Sequence, residues 1–242
     1  MEKTVFITGA SADVAMETIK ALSAENADVD YKIIGHFNRD DAKLKQAVEN
    51  LPNVSLTTLQ ADLSNLSEVE TLTDTVMAQG PVDYFLHFPA LPFAYMRYKD
   101  LDIQTIQREL EVSLLSFLTI TKKLFPAMKK VADARCVVML TAFVTEELPP
   151  KFMVDYMVTK YGLLGAMKAA ASEFGGSGFC INGISPQMME TKFLAGIDPR
   201  IIEMNAAKSP DGKLLSAKKV AGEICKMLSA SYKENGSNVV VV

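Results

Sequence analysis

The sequence predicts a doubly wound α/β fold: a parallel sheet of about seven strands with about six helices on its two faces. Three observations predict it. Short apolar and β-branched runs alternate with helical patterns along all 242 residues, with no repeat or low-complexity tract between them. The chain opens on a strand, a glycine turn and a helix, the start of a βαβ unit. Later runs such as Cys136-Val137-Val138-Met139-Leu140 are continuously apolar, as in a parallel sheet covered on both faces. The unbroken alternation is expected to make residues 1–242 a single domain.

Composition narrows the function classes. The chain is 49% hydrophobic, ample for one large core. A net charge of −4 and a pI near 5.3, with no long basic run, argue against a nucleic-acid binder. Cys136, Cys180 and Cys225 are odd in number, widely spaced and set among apolar neighbours, which points to buried thiols in a reducing compartment and away from disulfides or metal ligands. Met1-Glu2-Lys3 runs straight into the first strand, so no signal peptide is expected, and no apolar run approaches a membrane span. The expectation is a soluble, cytoplasmic protein.

Taken in order, residues 4–7 form the first strand, and Thr8-Gly9-Ala10-Ser11 the turn into a helix ending near Ser23. Helix N-terminal amides in such a unit face a pyrophosphate. Residues 31–37 form the second strand, which ends at Asn38-Arg39-Asp40. An acid closing this strand selects NAD, whereas a base just beyond it meets a 2′-phosphate; Arg39 therefore favours NADP(H) over NAD(H). His36 has no partner visible in the sequence and reads as structural. A helix at 41–49 leads to the strand at 54–59 and to Ala61-Asp62-Leu63, where Asp62 and Ser64 are candidate caps for the next helix. The fourth strand spans 82–88, followed by Pro89-Ala90 and an apolar, aromatic loop at 92–98.

A long helical pattern at 101–130 is interrupted near Pro126, and its Lys122, Lys123, Lys129 and Lys130 form a basic patch, a solvated face or a dock for an acidic carrier protein. The fifth strand lies within 135–143. After Pro149-Pro150-Lys151 comes a helix at 154–174 carrying Tyr156 and Lys160, four apart and so on one face. An ammonium beside a phenol lowers the phenol's pKa from about 10 and eases proton transfer to a carbonyl oxygen. The spacing is shared by many surface pairs; its place after a strand end and a proline loop singles it out. The sixth strand spans 179–184. Residues 188–213 read as a substrate lid, with Pro199, Pro210 and Gly212 as helix breakers. A helix at 216–232 and a strand at 237–242 close the chain.

These residues together resemble the short-chain dehydrogenase/reductase family over essentially the whole length, most closely its 3-oxoacyl-[acyl-carrier-protein] reductases. The features that carry the resemblance are Thr8-Gly9-Ala10-Ser11, Asp62, Tyr156 with Lys160, and Pro186 with Thr191. The resemblance implies a Rossmann-type domain in which Gly9, Ser11, Asp13, Val14, Asn38, Arg39, Asp62, Leu63, Pro89, Pro186 and Thr191, with Tyr156 and Lys160, hold the cofactor. It implies Tyr156 as the acid, Lys160 on the nicotinamide ribose, and a tetramer or dimer. The faces at 110–120 and 163–171 would suit such an interface. A methionine-lined pocket (Met96, Met153, Met157, Met188, Met189, Met204) would suit a fatty ketone or acyl thioester, and core packing accounts for most of these methionines equally well.

Several positions depart from the family pattern. Asp13 and Ala15 replace turn glycines; Asp13 sets a carboxylate near the pyrophosphate and Ala15 a methyl where backbone approaches ligand. His87-Phe88-Pro89-Ala90 replaces a flexible Asn-rich turn. Ser113 stands where the family has a catalytic asparagine; it can hold a relay water but lacks the paired amide groups. Thr141-Ala142 replaces a serine pair, leaving Thr141 or Thr145 to orient the carbonyl, and Gln187 replaces a glycine. Two functions stay open: an NADP(H)-dependent ketone reductase, or a degenerate member that binds cofactor or partner without turnover.

Overall fold

The computed structural model describes every residue except 93, 94, 177, 192, 193, 195, 210 and 211. Its strands are β1 (Glu2–Thr8), β2 (Asp30–Phe37), β3 (Val54–Gln60), β4 (Tyr84–His87), β5 (Arg135–Met139), β6 (Cys180–Pro186) and β7 (Asn238–Val241). All pair in parallel, in the order β3-β2-β1-β4-β5-β6-β7. The helices are α1 (Asp13–Glu25), α2 (Ala42–Val48), α3 (Leu66–Ala78), α4 (Ile103–Glu109), α5 (Ser116–Met128), α6 (Val154–Phe174), α7 (Pro199–Ala206) and α8 (Ala217–Leu228).

Alternate strand residues face opposite sides, so each strand feeds two cores. On one side Phe6, Ile34, Phe85, Val138 and Ile181 pack under α3, α5 and α6. Phe85 stacks on Phe6 with ring centroids 5.2 Å apart, and Phe125 meets Phe179 edge-on at 5.3 Å. On the other side Val5, Ile7, Ile33, Leu86 and Val137 pack under α1, α2 and α8. The three cysteines are free and buried.

Several boundaries differ from the sequence expectation, each for a local reason. Eight α-helices are present among the described residues, where about six were expected. The pattern at 101–130 divides at a π turn, Leu110–Leu115, and not at Pro126, which sits in the last turns of α5 where a proline loses only one backbone hydrogen bond. Pro199 starts a helix: Asp198 accepts from the amide of Arg200, and proline is preorganised for the first turn. Pro210, like Phe93 and Ala94 of the aromatic loop, lies outside the described residues. Neither Asp62 nor Ser64 caps α3; Asn65 does, accepting from the amide of Ser67. Within the expected interface stretches, Ile120, Leu163, Met167 and Ala171 face the core, while Leu118 is exposed.

The chain leaves β1 toward β2 and β3, then returns to place β4 on the other side of β1. The reversal opens a crevice at the carboxyl ends of the strands. Gly9, at φ +71°, makes the turn there, and a β-carbon on it would lie 3.2 Å from the Pro89 nitrogen. An L side chain in the left-handed region costs roughly 1–2 kcal/mol. Gly9→Ala should therefore lower stability by at least about that amount in urea unfolding, and an unchanged midpoint would show that the turn after β4 yields freely.

Candidate active site

Helix α6 sets its Asp155, Thr159, Lys160, Leu163 and Met167 against the sheet, the four-residue recurrence of one buried face. Lys160 is 2% exposed and its Nζ donates to the Met139 carbonyl, the end of β5, at 2.9 Å. Tyr156, one turn earlier, shares a hydrogen bond with the Thr141 hydroxyl just past β5. Thr145 is turned away, donating to Ala142 O at 2.7 Å, so Thr141 is the hydroxyl brought to the phenol. Tyr156, Lys160 and Thr141 line one cavity of about 380 Å³ with Ser11, Asp13, Val14, Pro186 and Thr191. Its remaining wall is largely apolar: Phe88, Tyr95, Phe143, Met153, Met188, Met189 and Ile197. Of the methionines expected there, Met204 is 67% exposed, Met157 sits in a small core with Val144, and Met96 bridges the backbone of Met153.

The lysine does not lower the phenol's pKa as the spacing predicts. Burial pushes Tyr156 up to about 12, partly offset by the Thr141 bond. Burial pulls Lys160 down to about 8, partly offset by Glu109. The reason is geometric: Nζ is 5.7 Å from the centroid of the Tyr156 ring and points at a carbonyl.

Ser113 does not line the cavity. It is fully buried on the π turn, its hydroxyl 3.3 Å from both Pro89 O and Glu109 Oε1. Its carbonyl accepts from His87 Nε2 at 2.8 Å, while His87 Nδ1 accepts from Thr8 Oγ1 at 2.8 Å, the register partner across β1 and β4. This assigns the proton to Nε2. Glu109 is 6% exposed, and burial raises its pKa. Sequence reasoning missed it, because a lone glutamate on a helix reads as surface; only its place four residues before Ser113, one turn away, hints otherwise.

At the other end, Ala12 is the N-cap of α1 and makes no side-chain cap hydrogen bond, and Asp13 and Val14 line the cavity, so the first-turn amides of α1 lie at the crevice. Such amides fit an anion. The Ala15 methyl is 0% exposed and packs in the core, so it does not crowd a ligand as expected. His36 has two partners: Nδ1 accepts from the Gly9 amide at 3.1 Å, and Nε2 donates to Ala61 O at 3.1 Å. Asn38 and Arg39 are exposed beyond β2; Asp62 binds the Ser64 amide and hydroxyl and lies 3.9 Å from Arg108. Leu63 and Pro89 are buried, and with Gly9, Asn38, Arg39 and Asp62 they lie outside the cavity lining. In the basic patch, Lys123 is paired with Asp74 at 2.7 Å.

A family model described as enoyl-(acyl carrier protein) reductase matches residues 9–241. An oxidoreductase of Bacillus subtilis, YmfI, is 25% identical over 243 residues, covering 96% of this chain and 94% of the relative. An acetoacetyl-CoA reductase of an Acinetobacter species is 22% identical, covering 94% and 91%. A short-chain dehydrogenase of Burkholderia cenocepacia, solved in complex with NADP, superposes with a TM-score of 0.84 at 19% identity, covering 99% and 96%.

The two buried histidines predict a pH dependence. Burial holds His87 at about 3 and lowers His36, so both fold neutral, while each takes up a proton near 6.5 when unfolded. Below 6.5 the unfolded chain binds more protons, so stability falls as pH falls, by up to about 1.4 kcal/mol per pH unit per histidine. Urea midpoints should drop between pH 6.5 and 5, and His87→Gln should flatten the slope. An identical slope in the variant would mean His87 titrates normally in the fold.

Proposed function

This chain belongs to the short-chain dehydrogenase/reductase family of oxidoreductases, and we propose that it reduces a 3-oxoacyl-like ketone to an alcohol with NADP(H) as cofactor. The observation that carries this reading is the phenol of Tyr156, hydrogen-bonded to Thr141 and opening on the crevice beside Lys160. When bound, the reduced nicotinamide supplies the hydride for the carbonyl carbon. Thr141 orients the carbonyl oxygen. Tyr156, protonated throughout the working range because burial keeps its pKa high, donates its proton to that oxygen as it gains charge. Lys160, in the same cavity lining, would hold the nicotinamide ribose.

The first-turn amides of α1, with Gly9, Ser11, Asp13 and Val14, would hold the pyrophosphate; Asp62 and Leu63 would serve the adenine, Pro89 the ribose, and Pro186 and Thr191 the nicotinamide. Asn38 and Arg39 would receive a 2′-phosphate, which is the support for NADP(H). Ser113, behind the cavity wall, positions the site through Glu109 and His87 and does not touch substrate. The apolar wall and the Acinetobacter acetoacetyl-CoA reductase relative support an acyl thioester substrate. Residues 188–213 act as the lid: α7 lies within them, Leu194 and Ile197 reach the cavity, and Met189 pairs with Leu215 at their base. Exposed Leu118, Val158 and Tyr161 on α5 and α6 support a homo-oligomer.

Fluorescence titration should show NADPH binding more tightly than NADH, with Arg39→Ala lowering NADPH affinity about tenfold, a ~1.4 kcal/mol loss, and sparing NADH. No binding of either cofactor would end the oxidoreductase reading and favour a partner subunit. With 3-oxoacyl thioesters, Tyr156→Phe should lower kcat roughly 10²–10⁴-fold while cofactor still binds. Full activity in that variant would remove tyrosine from the mechanism.

A further inference from the structure

The cavity that holds the Tyr156 phenol has a neighbour. An apolar groove of about 690 Å³ lies against the head of α6, lined among others by Pro149, Pro150, Phe152, Met153, Met157 and Val158. Both spaces fall in the size range of small-molecule sites. Met153 is common to the two linings. Elsewhere, nearby residues divide between them. In the loop before α4, Tyr95 lines the cavity and Tyr98 the groove; at the head of α6, Tyr156 lines the cavity and Met157 the groove. The two spaces thus lie on either side of one thin wall.

That wall is built to yield. Its buried residues, Val144, Met153 and Met157, form a small core of their own and belong to neither core of the sheet. Two of the three are methionines, unbranched side chains that adapt to irregular space. The backbone beside them is pinned: the Met96 amide donates to Phe152 O at 2.8 Å. Phe152 holds φ +68° and is 48% exposed at the groove. A bulky residue in that region is strained, and such strain clusters where ligands are held. The groove's chemistry selects its occupant. Its polar side-chain groups are the Lys151 ammonium and the hydroxyls of Tyr98 and Tyr161. A peptide laid there leaves most of its backbone groups without partners, whereas an alkyl chain has none to satisfy.

We propose that this groove binds the alkyl tail of a long-chain 3-oxoacyl thioester, and that Met153 is the partition the tail displaces to reach it. The proposal rests on the reductase reading and deepens it by fixing the chain length. In that reading the cavity of about 380 Å³ takes the nicotinamide and the ketone together, which leaves little room for a long tail. The ketone stays at Tyr156 and Thr141; the tail passes Met153 and lies over Met157. Val158 and Tyr161, 48% and 41% exposed, form the outer rim. A second copy seated on that rim roofs the groove and leaves its floor to the chain.

The methionines are their own reporters: Met188 lines the cavity alone, Met157 the groove alone, and Met153 both. The whole chain, labelled with ¹³C-methyl methionine and held with NADPH, is titrated with 3-hydroxybutyryl or 3-hydroxydodecanoyl pantetheine thioester, so that no turnover occurs. Signals are assigned with Met→Leu variants, which keep side-chain volume. Both ligands should move Met188; the long one should also move Met153 and Met157, and the short one should leave Met157 in place. Met188 moving while Met157 ignores the long chain overturns the groove and leaves the reductase reading standing. If neither ligand moves Met188, the acyl-thioester reading has failed and this inference falls with it. A Met157 signal that follows protein concentration and not the long ligand makes the groove a contact between copies and overturns the proposal. In turnover, Val158→Trp, which fills the groove from an exposed position, should lower kcat/KM for a 3-oxododecanoyl thioester about tenfold relative to an acetoacetyl one, mainly through KM. An unchanged ratio overturns the proposal as well.

Discussion

The hydrogen bond from Lys160 to the end of β5 is the constraint on which the site depends. An ammonium carried inside a protein has to be met by fixed oxygen atoms, and here the sheet supplies one at the point where β5 stops. That contact fixes the rotation of α6, since the same helix face buries Leu163 and Met167 against the strands. With the rotation fixed, Tyr156 can only stand at the crevice wall, one turn nearer the helix start. The helix is entered through a strained residue, Phe152 at φ +68°, whose carbonyl accepts from the Met96 amide at 2.8 Å. The loops before α4 and α6 are thus tied together where the apolar wall begins.

Two histidines hold the rest of the crevice in place by a common device. Each is buried, neutral and bonded through both ring nitrogens, one donating and one accepting. His36 joins the glycine turn to the segment after β3; His87 joins β1 to the π turn. A neutral imidazole is a good cross-link between backbone groups because it offers one donor and one acceptor about an imidazole's width apart. Their role is rigidity at the switch point, where strand order reverses and backbone hydrogen bonding alone leaves the ends free.

The fold was legible in the sequence because its signals are local. Apolar runs and helical periods placed every strand, and α6 matched from Val154 to Phe174. Tyr156 and Lys160 were legible as a pair, from spacing and order along the chain, and Thr141 only as one of two hydroxyls, with Thr145, that the family resemblance offered. What was not legible depends on distance in space. Glu109 looks like any surface acid until α4 packs against α6, and His36 has no partner until Gly9 turns back over it. The sign of the Tyr156 shift was missed for the same reason: spacing shows that two groups share a helix face, whereas burial and the direction of Nζ decide which form of the phenol is favoured. The interruption of the long helix at residues 110–115, and not at Pro126, is likewise a matter of how its two halves pack.

The departures from the family pattern are better understood as a set than one by one. Ala142 forgoes a hydroxyl, and Thr141, one residue earlier, brings one to the same phenol. Ser113 forgoes an amide, and its hydroxyl contacts Glu109 while its carbonyl is occupied by His87, the residue that replaces an asparagine. Ala15 forgoes a glycine, and its methyl fills the core. In a chain relieved of chemistry, such changes would leave polar groups orphaned in the interior, each at a cost of about 1–3 kcal/mol. Here the hydroxyl of Ser113, the imidazole of His87 and the phenol of Tyr156 all have partners. Replacement with compensation at the same point in space is what continued use of the site requires, and loss of use does not explain it.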